Sequence, residues 1–380
     1  MKGGKLIGQG AYGCVFDPPL VCRGDKAPKK GYRKGKLGKL TAPEDIASEL
    51  LAAETFKDKP ASKKYFILPE IDTLCDEGPR GEPSINISAQ HERDIDKCGF
   101  ITETDVSELL HYQMDYGGKT LHEKLMDSEV VMKEFSYFRF MRDMLEIGAY
   151  LLLNGIIHND LHSSNIMMNK DYHPRLIDFG RSYAANAITE ETLKNLAADY
   201  ENKLNEGPYL GQITPECSIH DGLAEGRDFA TMIQDLIRVK PGLLYAERLF
   251  GQGREEQMAE FKKFWATSKA IQQKDYLTFW KLYWPVVDAW SIGHVLASVL
   301  TKLGRSTTFM KSRQLKQKFT LIKAVITGLL KASPRQRLDC IEALALYDPK
   351  NAVLSSASGK AWLEKKQAQR EKMRLPPKSA

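Results

Sequence analysis

The chain has no uninterrupted apolar run approaching the ~20 residues that a membrane-spanning helix needs. It also opens without an apolar signal region, since Met1-Lys2-Gly3-Gly4 leads straight into glycine-punctuated sequence. Its six cysteines, Cys14, Cys22, Cys75, Cys98, Cys217 and Cys340, form no CxxC pair and no tight Cys/His cluster. That spacing predicts neither a zinc site nor a disulfide framework, and it favours a reducing compartment. A soluble, intracellular protein with no membrane association is the expectation. A Walker A loop is missing too, because no Gly-Lys-Ser/Thr follows the early glycines. No internal repeat is visible.

What is present is an ordinary globular composition, 42% hydrophobic and 27% charged over 380 residues. A chain of this length can bury a large core and suggests two or three domains. The net charge of +6 suits acidic partners without requiring nucleic acid. The positive excess is local, crowding Arg23 to Lys39 and again Lys360 to Lys378. An acidic partner or a nucleic acid at the basic tail is one reading of this; a solvated face is the simpler one.

Residues 1–40 read as β structure broken by glycines. Thr41-Ala42-Pro43-Glu44 looks like a helix start, with Thr41 as N-cap and Glu44 closing a capping box. Tyr65 to Pro69 reads as a strand, Cys75 to Cys98 as an exposed polar excursion, and Leu109 to Met114 as a further strand. Dense apolar residues from Phe135 to Leu153 predict a buried helix, with more helix near 286–303 and 319–347. From Ser355 onward the chain is basic and predicted to be disordered or an exposed helix.

Against this background, Gly8-Gln9-Gly10-Ala11-Tyr12-Gly13-Cys14-Val15 fits G-x-G-x-x-G-x-V. Glycines let a backbone approach phosphate oxygens, and Val15 could cover a purine; a ligand-free glycine hairpin would read the same way. In protein kinases, which this glycine pattern resembles, a lysine on a following strand holds the phosphates. Lys39 is preferred over Lys36, because Leu37 shares the face of Lys39 and would pack beneath the base. Its acidic partner belongs on the inward face of the next helix, where Glu49 lies among Ile46, Leu50 and Ala53 while Glu54 turns outward.

The strongest signal is His158-Asn159-Asp160-Leu161-His162-Ser163-Ser164-Asn165, followed by Leu176-Ile177-Asp178-Phe179-Gly180. The pair matches H-x-D-L-x-x-x-N and D-F-G. Asp160 would accept or orient a hydroxyl proton, and Asn165 and Asp178 would supply hard oxygen ligands to Mg²⁺. Downstream, Thr214-Pro215-Glu216 is similar to A-P-E, Asp288-Ala289-Trp290-Ser291-Ile292-Gly293 to D-x-W-S-x-G, and Ser333-Pro334-Arg335-Gln336-Arg337 to the late P-x-x-R element.

Taken in order from Gly8 to Arg337, these motifs resemble the eukaryotic-type protein kinase superfamily. More narrowly, Gly10 to Cys22 and Tyr116-Gly117-Gly118 resemble serine/threonine kinases of nucleocytoplasmic large DNA viruses. The resemblance implies an α+β, two-lobed kinase fold. A β-rich N-lobe would cover residues 1–114, and a mainly helical C-lobe residues 115–350. Within the C-lobe, the unusual length between Cys217 and Tyr283 implies a helical insertion at about 217–283, and residues 351–380 form a basic tail. It further implies ATP beneath Gly8, Gly10, Gly13 and Val15, its adenine edge at the backbone near Gln113–Tyr116, and transfer to Ser or Thr hydroxyls of protein substrates. Asp288 would brace the catalytic loop and Arg337 would pair with Glu216. The viral likeness would place the protein in host cytoplasm or virion.

Two departures matter. Asn159 stands where such kinases usually carry an arginine, which argues against activation by a phosphate on the activation loop. His162 stands where a lysine usually steadies the γ-phosphate, so a catalytic role for His162 would favour its protonated form. Two other classes stay open: a small-molecule phosphotransferase of the aminoglycoside or choline kinase kind, and a kinase-fold scaffold without catalysis.

Overall fold

The computed structural model describes residues 4–10, 13–24, 35–75, 82–86, 95–99, 105–126, 135–193, 210–224 and 226–374. The chain forms two compact units. The first comprises Met1–Lys119, Met167–Asn169 and Arg175–Ser182; the second comprises Thr120–Ile166, Lys170–Pro174 and Tyr183–Ala380.

The first unit is built on a four-stranded antiparallel sheet in the order β1 (Lys5–Gly10), β2 (Gly13–Asp17), β3 (Lys36–Thr41) and β4 (Leu110–Asp115). Because side chains alternate along a strand and opposed residues share a face, the register sorts the residues into two layers. Val15 opposes Lys39, Lys39 opposes Tyr112 and Leu37 opposes Met114, which puts all five on one face. Cys14, Leu40 and His111 oppose one another on the other face. The β1–β2 turn closes at Gly10 and Gly13. Gly13 has φ +133°, and a Cβ there would lie 2.2 Å from the Leu40 carbonyl oxygen, so only glycine fits.

Helix α1 (Pro43–Phe56) follows β3 directly and packs Ile46 against Leu110 and Tyr112 of β4. The expected cap is not at Thr41, which is the buried last residue of β3. Ala42 is the N-cap and has no side-chain bond to offer; Pro43 opens the helix with its fixed φ. The stretch Tyr65–Pro69 is not a strand. Ser62–Tyr65 is a helical turn, and Phe66 makes only an isolated parallel bridge to Leu176. Its apolar character reflects burial of Tyr65, Phe66 and Ile67 rather than a ladder.

The expectation of no disulfides is overturned. Cys14 pairs with Cys98 and Cys22 with Cys75, across 84 and 53 residues. Partners that far apart in sequence give no spacing signal; only the fold brings them together. The described residues between Cys75 and Cys98, 82–86 and 95–97, are accordingly not an exposed excursion throughout. Ile85, Ile95 and both flanking cysteines are buried with Cys14, Phe16 and Leu40 in one core on the outer face of the sheet.

The second unit is helical. Tyr137–Leu153 is nearly all buried, with Ser136 capping its start through Arg139 N–H at 3.4 Å. A short strand pair, Ile156–Ile157 with Tyr183–Ala184, flanks the His158–Asn165 sequence. Val287–Leu303 forms the central helix. The predicted run 319–347 is two helices, Arg313–Leu329 and Cys340–Tyr347, divided at Ser333-Pro334 and restarted by a capping box between Asp339 and Glu342.

Between Glu216 and Trp284 the described residues are mainly helical, and Phe261, Phe264, Trp265 and Phe279 stack into their own aromatic core. Tyr276–Leu303 is long and apolar enough by composition to cross a bilayer, but most of it is buried within the unit, as befits a core element. The basic C-terminal stretch is the helix Ala357–Arg374, moored where Trp362 Nε1 donates to Asp339 Oδ2 at 2.9 Å and Lys366 reaches the same oxygen at 3.1 Å.

Candidate active site

In the first unit, β3 carries Lys39 and α1 carries Glu49, placed so that the buried ammonium bonds the Glu49 carboxylate. The same ammonium lies 3.0 Å from Asp178 Oδ1. The second oxygen of Glu49 accepts from the Tyr112 hydroxyl, so both carboxylate oxygens are used. Burial alone would push the Lys39 ammonium down, but Glu49 and Asp178 outweigh it and hold the lysine above its ordinary value, firmly charged. Burial pushes the Glu49 carboxyl up, with Lys39 opposing and Asp178 adding to the rise. Lys36, the rejected alternative, is engaged by Glu70 and Asp115 at the rim, and Glu54 faces solvent near Lys57.

Asp178 has φ 63°, an unusual conformation for a non-glycine residue, which turns its carboxylate toward Lys39. The next residue, Phe179, is buried edge-on against Phe66 at 5.6 Å between centroids, and Phe66 in turn meets Phe56 of α1 at 4.5 Å. That packing ties the D-F-G sequence to the helix bearing Glu49. Gly8 and Gly10 leave open space where a Cβ would project, in contrast to Gly13. Val15 and Leu37 flank Lys39 on its own face.

The second unit carries the His158–Asn165 residues. The buried Asp288 accepts from His158 N–H at 2.8 Å and from Asn159 N–H at 3.0 Å, fixing the loop backbone. Asn159 holds φ 61°, which asparagine tolerates better than most residues, and its buried amide nitrogen has no hydrogen-bond partner among the described residues. Asp160 is encircled by donors. Asn165 Nδ2 approaches Oδ2 at 3.1 Å, Gln212 Nε2 approaches Oδ1 at 3.3 Å, and His162 Nε2 lies 3.5 Å from Oδ2. His162 is oriented by its other nitrogen, which accepts from Ser164 N–H at 3.3 Å.

The central helix also holds the segment leading to Glu216. Trp290 Nε1 donates to the Gly211 carbonyl at 3.0 Å, and Ser291 Oγ to the Gln212 carbonyl at 2.8 Å. The Asp-Ala-Trp-Ser sequence thus spends three side chains on two loops. Arg337 makes a bidentate pair with Glu216 at 2.7 and 2.8 Å and lies over the Trp290 ring at 5.1 Å.

Within the first unit, then, Lys39, Glu49 and Asp178 come together with Leu37 and Val15 alongside. Within the second, Asp160, His162 and Asn165 come together. Tyr112 and Gln212 belong to these networks and were not foreseen from the sequence. Tyr112 lay in a predicted strand without a motif, and Gln212 is four residues ahead of Glu216 with no signature of its own.

The protein kinase domain profile matches residues 1–201, more than half of the chain, and the chain belongs to that family. Among curated relatives it is similar to a protein kinase and PP2C-like domain-containing protein of Oryza sativa subsp. japonica, 29% identical over 103 residues (25% of this chain, 16% of that protein). It is also similar to the human hormonally up-regulated neu tumor-associated kinase, 28% identical over 131 residues (34% and 17%). A third relative is the mouse eIF-2-alpha kinase GCN2, 32% identical over 88 residues (22% and 5%). The matched stretches thus span less than a fifth of the length of each relative. The α+β architecture, a β-sheet unit followed by a mainly helical one, is that of the family.

Proposed function

We propose that the protein is an ATP- and Mg²⁺-dependent protein kinase that transfers the γ-phosphoryl group to Ser or Thr hydroxyls. The observation that carries this reading is Lys39, a buried ammonium held between Glu49 and Asp178 on the face shared with Val15 and Leu37. A cation so placed is poised for the α- and β-phosphates, while the open space at Gly8 and Gly10 leaves room for phosphate oxygens. The backbone near Gln113–Tyr116 would take the adenine edge.

The donor chemistry suits magnesium. Asn165 uses its amide nitrogen on Asp160, leaving its oxygen as a hard ligand, and Asp178 offers a partly exposed carboxylate. When bound, Mg²⁺ would neutralise charge on the β- and γ-phosphates. Asp160 would orient the attacking hydroxyl and take up its proton, its carboxylate held by Asn165 and Gln212. His162, beside Asp160, would steady the transferred group through its Nε2–H, its Nδ1 being taken up as the acceptor of Ser164 N–H. The preference for Ser/Thr rests on the family likeness, and a virion or infected-cell setting on the likeness of Gly10–Cys22 to kinases of large DNA viruses. The basic run 25–34 lies outside the described residues; the tail helix is a candidate surface for an acidic partner.

The test is phosphoamino-acid analysis of protein substrates after incubation with labelled ATP, with and without Mg²⁺. Phosphoserine or phosphothreonine formed only with the metal supports the reading. Phosphotyrosine alone would overturn the specificity, and label reaching only small alcohols would move the protein to the aminoglycoside or choline kinase class.

A further inference from the structure

All four described cysteines of the first unit are paired, and both pairs lie against the glycine hairpin. Cys14 follows Gly13 directly, and Cys98 reaches it across 84 residues. The neighbour of Cys98, Gly99, donates its N–H to Gln9 Oε1 at 3.2 Å. Gln9 lies between Gly8 and Gly10 and opposes Cys14 in the β1–β2 register. The two-residue segment Cys98–Gly99 therefore grips both strands of the hairpin, β2 through a covalent bond and β1 through a hydrogen bond.

The far end of the same cover is fixed as well. Cys22 pairs with Cys75, Arg23 N–H donates to the Ser84 carbonyl at 2.9 Å, and Asn86 N–H to the Val21 carbonyl at 2.8 Å. Strand β1 needs such restraint, because nearly all of it is exposed and Ile7 shows 48% of its surface. A strand with so few buried contacts opens at low cost unless something else holds it. By contrast, Cys217 and Cys340 are free thiols in the second unit, and burial pushes both above the ordinary thiol range. Both disulfides therefore lie in the first unit, with Cys14 and Cys98 buried beside the hairpin.

We propose that the Cys14–Cys98 disulfide, together with the Gln9–Gly99 hydrogen bond, is a positioning clamp for the nucleotide-binding hairpin, so that its oxidation state sets the affinity for ATP. The proposal rests on the kinase reading above. Opening the clamp takes two electrons from a dithiol reductant. One dithiol sulfur attacks a cysteine sulfur, a mixed disulfide forms, and the second dithiol sulfur displaces the remaining cysteine. The products are two protonated cysteine thiols and the cyclic disulfide of the reductant. Once free, Cys14 and Cys98 no longer tie β2 to the Cys98–Gly99 segment, and the β2–β3 ladder and the Gln9 contact must hold the hairpin opposite Lys39 without that bond.

The experiment compares full-length protein kept oxidised with protein treated with dithiothreitol, counting open thiols by alkylation and mass. Binding of a fluorescent ATP analogue and the kinetic constants for ATP are read on both. Reduction is expected to weaken nucleotide binding and raise KM for ATP about five- to tenfold, as when the competent fraction falls to roughly a tenth or a fifth. The effect should fall on KM rather than kcat. Cys14→Ser with Cys98→Ser should show the weak affinity without reductant and respond no further to it. Gln9→Ala keeps both disulfides and tests the clamp in an oxidised, folded background, with KM for ATP expected to rise about threefold. Equal, measurable affinity in the oxidised and fully reduced proteins, with Gln9→Ala matching the parent, overturns the clamp and leaves the kinase reading standing. No nucleotide binding in either state overturns both.

Discussion

Arg337 and Glu216, 121 residues apart, form a bidentate ion pair from which solvent is wholly excluded. The guanidinium also donates to the carbonyls of Val286, Lys331 and Ala332, so one side chain gathers the Glu216 segment, the approach to the central helix and the loop between the helices Arg313–Leu329 and Cys340–Tyr347. Removing one partner strands the other charge in the interior. Arg337→Ala is expected to cost about 3–5 kcal/mol, measured by chemical denaturation. Glu216→Leu in the same background should recover part of the loss, because it removes the stranded carboxylate. Equal stability of Arg337→Ala and the parent would mean that the pair is not a support of the fold.

The glycines of the hairpin separate by cause. A Cβ at Gly8 or Gly10 meets none of the described residues within 4 Å, whereas one at Gly13 would collide with the backbone of β3. Gly8→Ala should therefore leave stability within about 0.5 kcal/mol while weakening ATP binding. Gly13→Ala should destabilise the first unit by about 2 kcal/mol or more. Thermal melts paired with nucleotide titration distinguish the two; identical behaviour would show that neither acts through the space described.

Lys240 offers a pH test. It is buried, donates to the Leu210 carbonyl at 3.0 Å and lies 3.4 Å from Ser218 Oγ. Burial pulls its ammonium down from 10.5 to about 7, against Glu216 and Asp221, with Arg337 reinforcing the drop. The folded value is below the unfolded one, so between about 7 and 10.5 the unfolded chain binds the extra proton. The native state therefore gains stability as pH rises through that window, and below it bears the full cost of the buried charge. From pH 7 to 9 the parent should gain about 2–3 kcal/mol that Lys240→Met does not. Parallel pH profiles for the two proteins would contradict this.

His162 is the site's departure from its family, yet its ring is held beside Asp160 and capped against Ser164 N–H. If its Nε2–H steadies the transferred phosphate, His162→Ala should lower kcat about 10- to 100-fold, and His162→Lys should retain most of the activity. An alanine variant as active as the parent would leave His162 a loop-capping residue only.

Much of the candidate site was legible in the sequence because several residues that the structure brings together lie at short, fixed spacing. Asp160, His162 and Asn165 fall within six residues, and Asp178 follows one hairpin later. Lys39 could be chosen over Lys36 by strand alternation, and Glu49 over Glu54 by helical periodicity, since both rules act locally. What sequence could not supply was contact at a distance. Cys14 and Cys98 carry no mark of their partnership, and Tyr112 gives no sign that its hydroxyl completes the shell around Glu49. The misread strand at Tyr65–Pro69 and the misplaced cap at Thr41 share a cause: burial imposed by neighbours overrode what the local residues preferred.

The most direct test of the central claim is phosphate transfer from labelled ATP by Asp160→Asn beside the parent protein. Asparagine keeps the shape of the carboxylate but cannot take the hydroxyl proton, and circular dichroism would establish that the fold survives. The account predicts a fall in transfer of at least about 100-fold, with ATP binding little changed. Undiminished transfer by a folded Asp160→Asn protein would contradict it, and with it the assignment of this loop as the catalytic one.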